Sequence, residues 1–125
     1  MRGTGSIYDK SKAFAIRIVK LYRHLKENCS EYAMSKQLLR CGTSIGANVR
    51  EAACAQSLAD FLSKMYIAFK EANESAYWLE ILEDTKYLTP TQAKSIRNDC
   101  DELIRILSSI TKTTKNNSSL LTPNS

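Results

Sequence analysis

From Met34 to Ala52 the apolar residues Met34, Leu38, Cys41, Ile45, Val49 and Ala52 recur at steps of three and four. That spacing sets them along one side of a helix, and the phase holds for about five turns. Beside them runs a second stripe, Ser35, Gly42, Gly46 and Ala53. Each Gly costs a helix interior about 1 kcal/mol relative to Ala. Two of them on one face predict that another helix backbone passes close by. The alternative is a loop breaking the helix at Cys41-Gly42-Thr43-Ser44. Against it stands the apolar stripe, which keeps its phase across both glycines.

The other segments carry the same period. A lead-in over residues 1–6 reads as flexible, with a first helix over about 9–27, capped from Ser6 or Asp9 and facing inward through Ile7, Phe14, Ile18, Leu21, Tyr22 and Leu25. The organising block makes a second helix, about 32–54. Ser57 with Asp60 caps a third, about 58–87, whose buried side includes Leu58, Phe61, Leu62, Met65, Ala68, Phe69, Ala72, Ala76, Leu79 and Leu82. Thr89-Pro90 opens a fourth, about 90–111, with Thr as cap and Pro in the first turn. Its apolar positions are Ala93, Ile96, Cys100, Leu103, Ile104, Leu107 and Ile110. Residues 113–125 are polar and aperiodic and read as a disordered tail. No segment asks for a strand. Short links between long amphipathic helices predict an all-α domain over 1–112, an antiparallel up-down-up-down four-helix bundle.

Charge is unevenly spread. Residues 1–50 hold ten Lys or Arg against three acids, and residues 51–125 hold eight against ten, which leaves the net +5. Between Lys10 and Lys26 stand Lys10, Lys12, Arg17, Lys20, Arg23 and Lys26 with no acid among them; Lys36, Arg40 and Arg50 continue the bias. A solvated face without a partner is the commoner explanation of one such helix. The missing Glu residues weaken it, because an idle surface helix uses them for i to i+4 pairs. These nine residues are the candidate nucleic-acid contacts, through phosphate rather than base recognition.

Apolar surface points to a second class of function. Ile16 and Val19 lie outside the first helix's core stripe, and Tyr66, Ile67, Tyr77, Trp78 and Ile81 exceed what one bundle face covers. Ile16, Val19, Tyr66, Tyr77 and Trp78 are candidate subunit contacts; Tyr77 and Trp78 serve equally well to close the core. Glu71, Glu74, Glu80, Glu83 and Asp84 could meet the basic first helix of a neighbour, which competes with phosphate for the same lysines. Asn48 fits a register-setting interior site, a surface between subunits or an ordinary half-exposed one.

Three blocks carry a family resemblance across Tyr8 to Ile110: Gln37 to Glu51, the aromatic-rich run Phe61 to Ala68, and Tyr87-Leu88-Thr89. The chain resembles the small bundle proteins encoded in intervening sequences of bacterial 23S ribosomal RNA genes. Gly46 stands where such proteins often have Pro, and Val49-Arg50-Glu51-Ala52 replaces their usual Ala-Glu-Gly. The resemblance implies a homo-oligomeric ring, a pentamer. It extends to the accessory proteins of diversity-generating retroelements, ring-shaped binders of nucleic acid and of a partner protein, and it favours RNA over DNA here.

Enzyme chemistry finds little footing. The single histidine, His24, sits on the polar edge of the basic helix, and HExxH, ExxH, GxSxG and phosphate-loop patterns are all missing. No catalytic residue, metal or cofactor is expected. Cys29, Cys41, Cys54 and Cys100 form no CxxC pair and read as reduced thiols. No apolar run reaches the ~18 residues of a membrane span, and the N-terminus lacks a signal-peptide core. The expected place is the cytoplasm.

Overall fold

The computed structural model describes the backbone of residues 2–121 and the side chains of residues 7–114. It contains four helices, α1 (Arg2–Cys29), α2 (Ala33–Ala53), α3 (Leu58–Asp84) and α4 (Pro90–Leu121). No strand occurs among the described residues. Helix α2 runs unbroken through both glycines, as the stripe required.

Three ends differ from the spacing-based expectation. α1 begins at Arg2, ahead of Ser6 and Asp9; Gly3 and Gly5 lower helix propensity but leave the hydrogen-bond ladder intact. α4 continues to Leu121, so the stretch from 113 read as disordered is helical that far. Polarity alone does not stop a helix, and neither Gly nor Pro occurs there before Pro123. Residues 122–125 of that expected tail lie outside the described residues. α3 stops at Asp84 rather than near 87 because the chain turns sharply at Lys86, whose φ is 68°. The Tyr87 N–H donates to the Leu82 carbonyl at 2.9 Å and the Lys86 N–H to that of Glu83 at 3.0 Å. These two bonds are a Schellman closure, with Lys in the place glycine usually takes.

The starts of α2, α3 and α4 are built from side chains. Thr89 and Gln92 exchange bonds: the Thr89 N–H reaches Gln92 Oε1 at 3.0 Å and the Gln92 N–H reaches Thr89 Oγ1 at 3.2 Å. Ser57 Oγ accepts from the Asp60 N–H at 3.0 Å. α2 uses a device that sequence reading missed. The buried Glu31 carboxylate accepts from the N–H groups of Ala33, Met34 and Ser35, and Ser35 Oγ donates back to the Glu31 carbonyl. Three otherwise orphaned donors are satisfied at once.

Around the bundle α1 packs on α2, α2 on α3 and α3 on α4, while α4 meets α1 along a thinner seam. The core they enclose includes Ile7, Phe14, Ile18 and Leu25 of α1; Leu38, Cys41, Ile45 and Val49 of α2; Met65, Ala72, Leu79 and Leu82 of α3; and Cys100, Leu103 and Leu107 of α4. Leu58, expected inside, is 42% exposed at the first position of α3, ahead of the core layers. Among the described residues every buried side-chain nitrogen and oxygen has a partner: Ser75 Oγ lies 3.3 Å from Cys41 Sγ and donates to the Glu71 carbonyl, and Cys100 Sγ donates to the Ala72 carbonyl. Burial pushes the Cys41 thiol up and the Cys100 thiol up to about 12, so both stay neutral and inert.

The glycine stripe has its explanation in α1. A Cβ at Gly42 would stand 2.9 Å from Ile18 Cγ1, and one at Gly46 would stand 3.4 Å from Ser11 Oγ and 3.5 Å from the Ser11 backbone. α1 therefore crosses α2 where side chains are missing, which is what lets the two basic helices lie close.

Candidate nucleic-acid interface

Along α1, Lys12, Ile16, Lys20 and Arg23 succeed one another at four, four and three residues and all face solvent. Periodicity alone put them there, because the opposite side of the helix is spent on Ile7, Phe14, Ile18 and Leu25. Lys26 is also exposed, its ammonium 5.9 Å from the centre of the Tyr22 ring. On α2, Lys36 and Arg50 are exposed near the two ends of the helix. These six cations, Lys12, Lys20, Arg23, Lys26, Lys36 and Arg50, have no ion pair among the described residues.

Three others of the nine are occupied. Lys10 pairs with Glu102 at 3.0 Å and Arg17 with Asp99 at 2.5 Å, both tying α1 to α4. Arg17 also reaches Ser95, through Nη2 to its hydroxyl at 3.0 Å and Nη1 to its carbonyl at 3.4 Å. Arg40 turns toward α3, meeting Glu74 at 2.6 Å and Glu71 at 3.3 Å. That hydrogen bond holds the Glu74 carboxyl below its ordinary range and raises the Arg40 guanidinium. The mixed fate of the nine follows from helix neighbours, which one helix's period does not encode.

The acids of α3 are mostly spent inside the chain. Glu71 and Glu74 hold Arg40; Glu83 meets Arg97 at 2.7 Å and raises its pKa, with Glu80 at 4.0 Å. Of the five acids expected to reach a neighbour, Asp84 alone has no ion pair among the described residues.

Where α1 meets the start of α4 the thin seam opens into a cleft of about 540 Å³. Its floor is apolar, made by Leu21, Leu88 and Ile96; Lys20, Arg17 and His24 stand on the α1 side and Thr91, Gln92 and Ser95 on the α4 side. His24 is half-buried, with Nδ1 at 2.9 Å from Asn28 Nδ2 and Nε2 at 3.8 Å from Cys29 Sγ. The α4 contributors were missed at the level of sequence. Short polar residues after a cap carry no signal until the opposing helix is known.

The candidate contact residues divide as well. Ile16 is 48% exposed, Tyr66 52% and Tyr77 54%, and Ile67 is exposed beside them. Val19 is half-buried. Trp78 packs against the core, donates Nε1–H to Glu74 at 3.0 Å and takes the edge of Tyr77, ring centres 5.1 Å apart. Trp78 is thereby partly absorbed by its own chain. Asn48 Nδ2 donates to the Ser44 carbonyl one turn back, at 2.8 Å. Among the described residues no three His, Cys, Asp or Glu gather as metal ligands, and no described helix is long and apolar enough to cross a membrane.

The family profile described as 23S rRNA-intervening sequence protein matches residues 5–109. Among solved structures, the chain is similar to a protein of unknown function from the S23 ribosomal protein family of Bacteroides thetaiotaomicron. The two share 55% identity with a TM-score of 0.86, over 88% of this chain and 98% of that one. No curated protein matches.

Proposed function

We propose a function from one premise: the chain belongs to the 23S rRNA-intervening sequence protein family. It is a non-enzymatic helical bundle that binds nucleic acid, RNA before DNA, through the basic outer faces of α1 and α2. The observation that carries this reading is the set of six exposed cations left without an internal acid while Lys10, Arg17 and Arg40 are neutralised. Unpaired, solvated cations on two adjoining helices are what phosphate contacts require. The family's association with a ribosomal RNA intervening sequence supports RNA as the ligand.

The bundle reads as antiparallel, up-down-up-down. The register supports this: Ser11 faces Gly46 and Ile18 faces Gly42, while Lys10 pairs with Glu102 and Arg17 with Asp99. In both pairs of helices the numbers rise on one side as they fall on the other.

A second reading, a scaffold assembling as a homo-oligomeric ring or with a partner protein, is favoured by the exposed Ile16, Tyr66, Ile67 and Tyr77. Through Tyr66, Ile67 and Tyr77 of α3 it is compatible with the first. Four of the five α3 acids that would have met a neighbour's α1 are engaged within the chain, so such a contact is mainly apolar, and where it covers Ile16 it competes with phosphate for the flanking Lys12 and Lys20. A pentamer is the expected size, and repetition around a ring would multiply the local field.

The test uses a labelled ribosomal RNA fragment and the full chain. Reversing Lys12, Lys20 and Arg23 to Glu together is expected to weaken binding by about a hundredfold or more at moderate salt, with the helical CD signal unchanged. Undiminished affinity in the reversed protein would remove the α1 face from the account. Light scattering on the same samples reports the subunit count, and a strict monomer would rule out the ring.

A further inference from the structure

We infer that the cleft between α1 and the start of α4 admits one unstacked nucleotide of single-stranded RNA, which makes the protein a single-strand rather than a duplex binder. This rests on the nucleic-acid reading above and sharpens it. At about 540 Å³ the cleft falls within the ~300–1,000 Å³ of ordinary small-ligand sites. It is continuous with the unpaired basic stripe, because Lys20 belongs to both.

The lining suits a base and its phosphate separately. Leu21, Leu88 and Ile96 offer an apolar floor for a ring face. Arg17 makes a planar wall that is held before any ligand arrives, by Asp99 on one side and Ser95 on the other. With its charge already matched by Asp99, that guanidinium serves as a stacking plane more than as a phosphate clamp, a use RNA-binding proteins make of Arg. Lys20, without an acid, is the group left for the phosphate. Directional readers remain above the floor. Gln92 spends Oε1 on the Thr89 N–H and keeps its amide protons to donate. Ser95 Oγ accepts from Arg17 and keeps its own proton. The Thr91 hydroxyl is engaged by no internal bond among the described residues and can do either. A duplex keeps its bases stacked and paired and presents none to such a cleft.

Fluorescence anisotropy with one short labelled RNA, single-stranded or annealed to its complement, tests this on the full chain. Two variants accompany the wild type. Thr91→Trp fills the cleft mouth from an exposed position without changing charge. Gln92→Glu places a carboxylate inside while keeping the oxygen that caps α4, so it folds even if the first does not. The expected result is about tenfold tighter binding of the single strand by the wild type, an advantage both variants lose, while the duplex binding of the charge-neutral Thr91→Trp changes less than about twofold. Equal affinity for the two RNAs, or a preference that survives both variants, would overturn the cleft and leave the basic face standing. Binding of neither RNA would overturn both.

Discussion

Gly42 and Gly46 look alike in the sequence and do different work. At Gly42 an added methyl meets the Cβ-branched Ile18, fully buried and with little room to turn, whereas at Gly46 it meets ordinary contact distances. An Ala gains about 1 kcal/mol of helix propensity at either place, while forcing a packed core apart costs about 1–3 kcal/mol. Gly42→Ala is therefore expected to be net destabilising by about 1 kcal/mol and Gly46→Ala neutral or stabilising, read from chemical denaturation of each. Equal effects would mean that Ile18 does not set the approach. The sequence showed that both residues lie on a close-packed face; it could not rank them, because the rank depends on which α1 side chain stands opposite. Glu31 was invisible for a similar reason. Its carboxylate turns back onto three N–H groups of α2, and no local pattern separates that from a surface acid.

Helix ends and seams make up the next scale. Helix interiors were legible in the 3.6-residue period, while the ends followed backbone events that the period does not record. Lys86 holds a left-handed conformation that costs a residue with a side chain roughly 1–2 kcal/mol, so Lys86→Gly should raise stability by about 0.5–1 kcal/mol. Unchanged or lower stability would show the turn to be unstrained. Between α2 and α3 the pair of Arg40 and Glu74 gives a pH signature. The folded state holds the Glu74 carboxyl below its unfolded value, so its contribution is full above the ordinary carboxylate range and is lost as pH falls through the lowered value. Arg40 is half-exposed, which keeps the contribution to about 1 kcal/mol or less. Glu74→Gln should thus lower the melting temperature at neutral pH and converge with the wild type in acid; a constant gap across pH would assign the effect to lost packing.

Taken whole, the molecule is a bundle whose charge asymmetry survives folding only in part. The sequence displayed nine basic residues on two helices, and the fold neutralises three of them by bringing α3 and α4 alongside. What remains is a smaller field, and among the described α3 acids only Asp60 and Asp84 of a neighbouring copy stand without an ion pair to quench it. The cleft appears at this scale alone, since it exists where α1 and α4 separate around Leu88. The exposed Ile16, Tyr66 and Tyr77 likewise gain meaning only once Trp78 and Val19 are seen to be partly absorbed by the chain itself. The most direct test of the basic face is the salt dependence of RNA affinity, measured for the wild type and for Lys20→Glu/Arg23→Glu. With about four phosphates engaged, log K should fall against log salt with a slope near −3, and the double variant should flatten it by about 1.4. A slope near zero, or one that the variant leaves untouched, would contradict it.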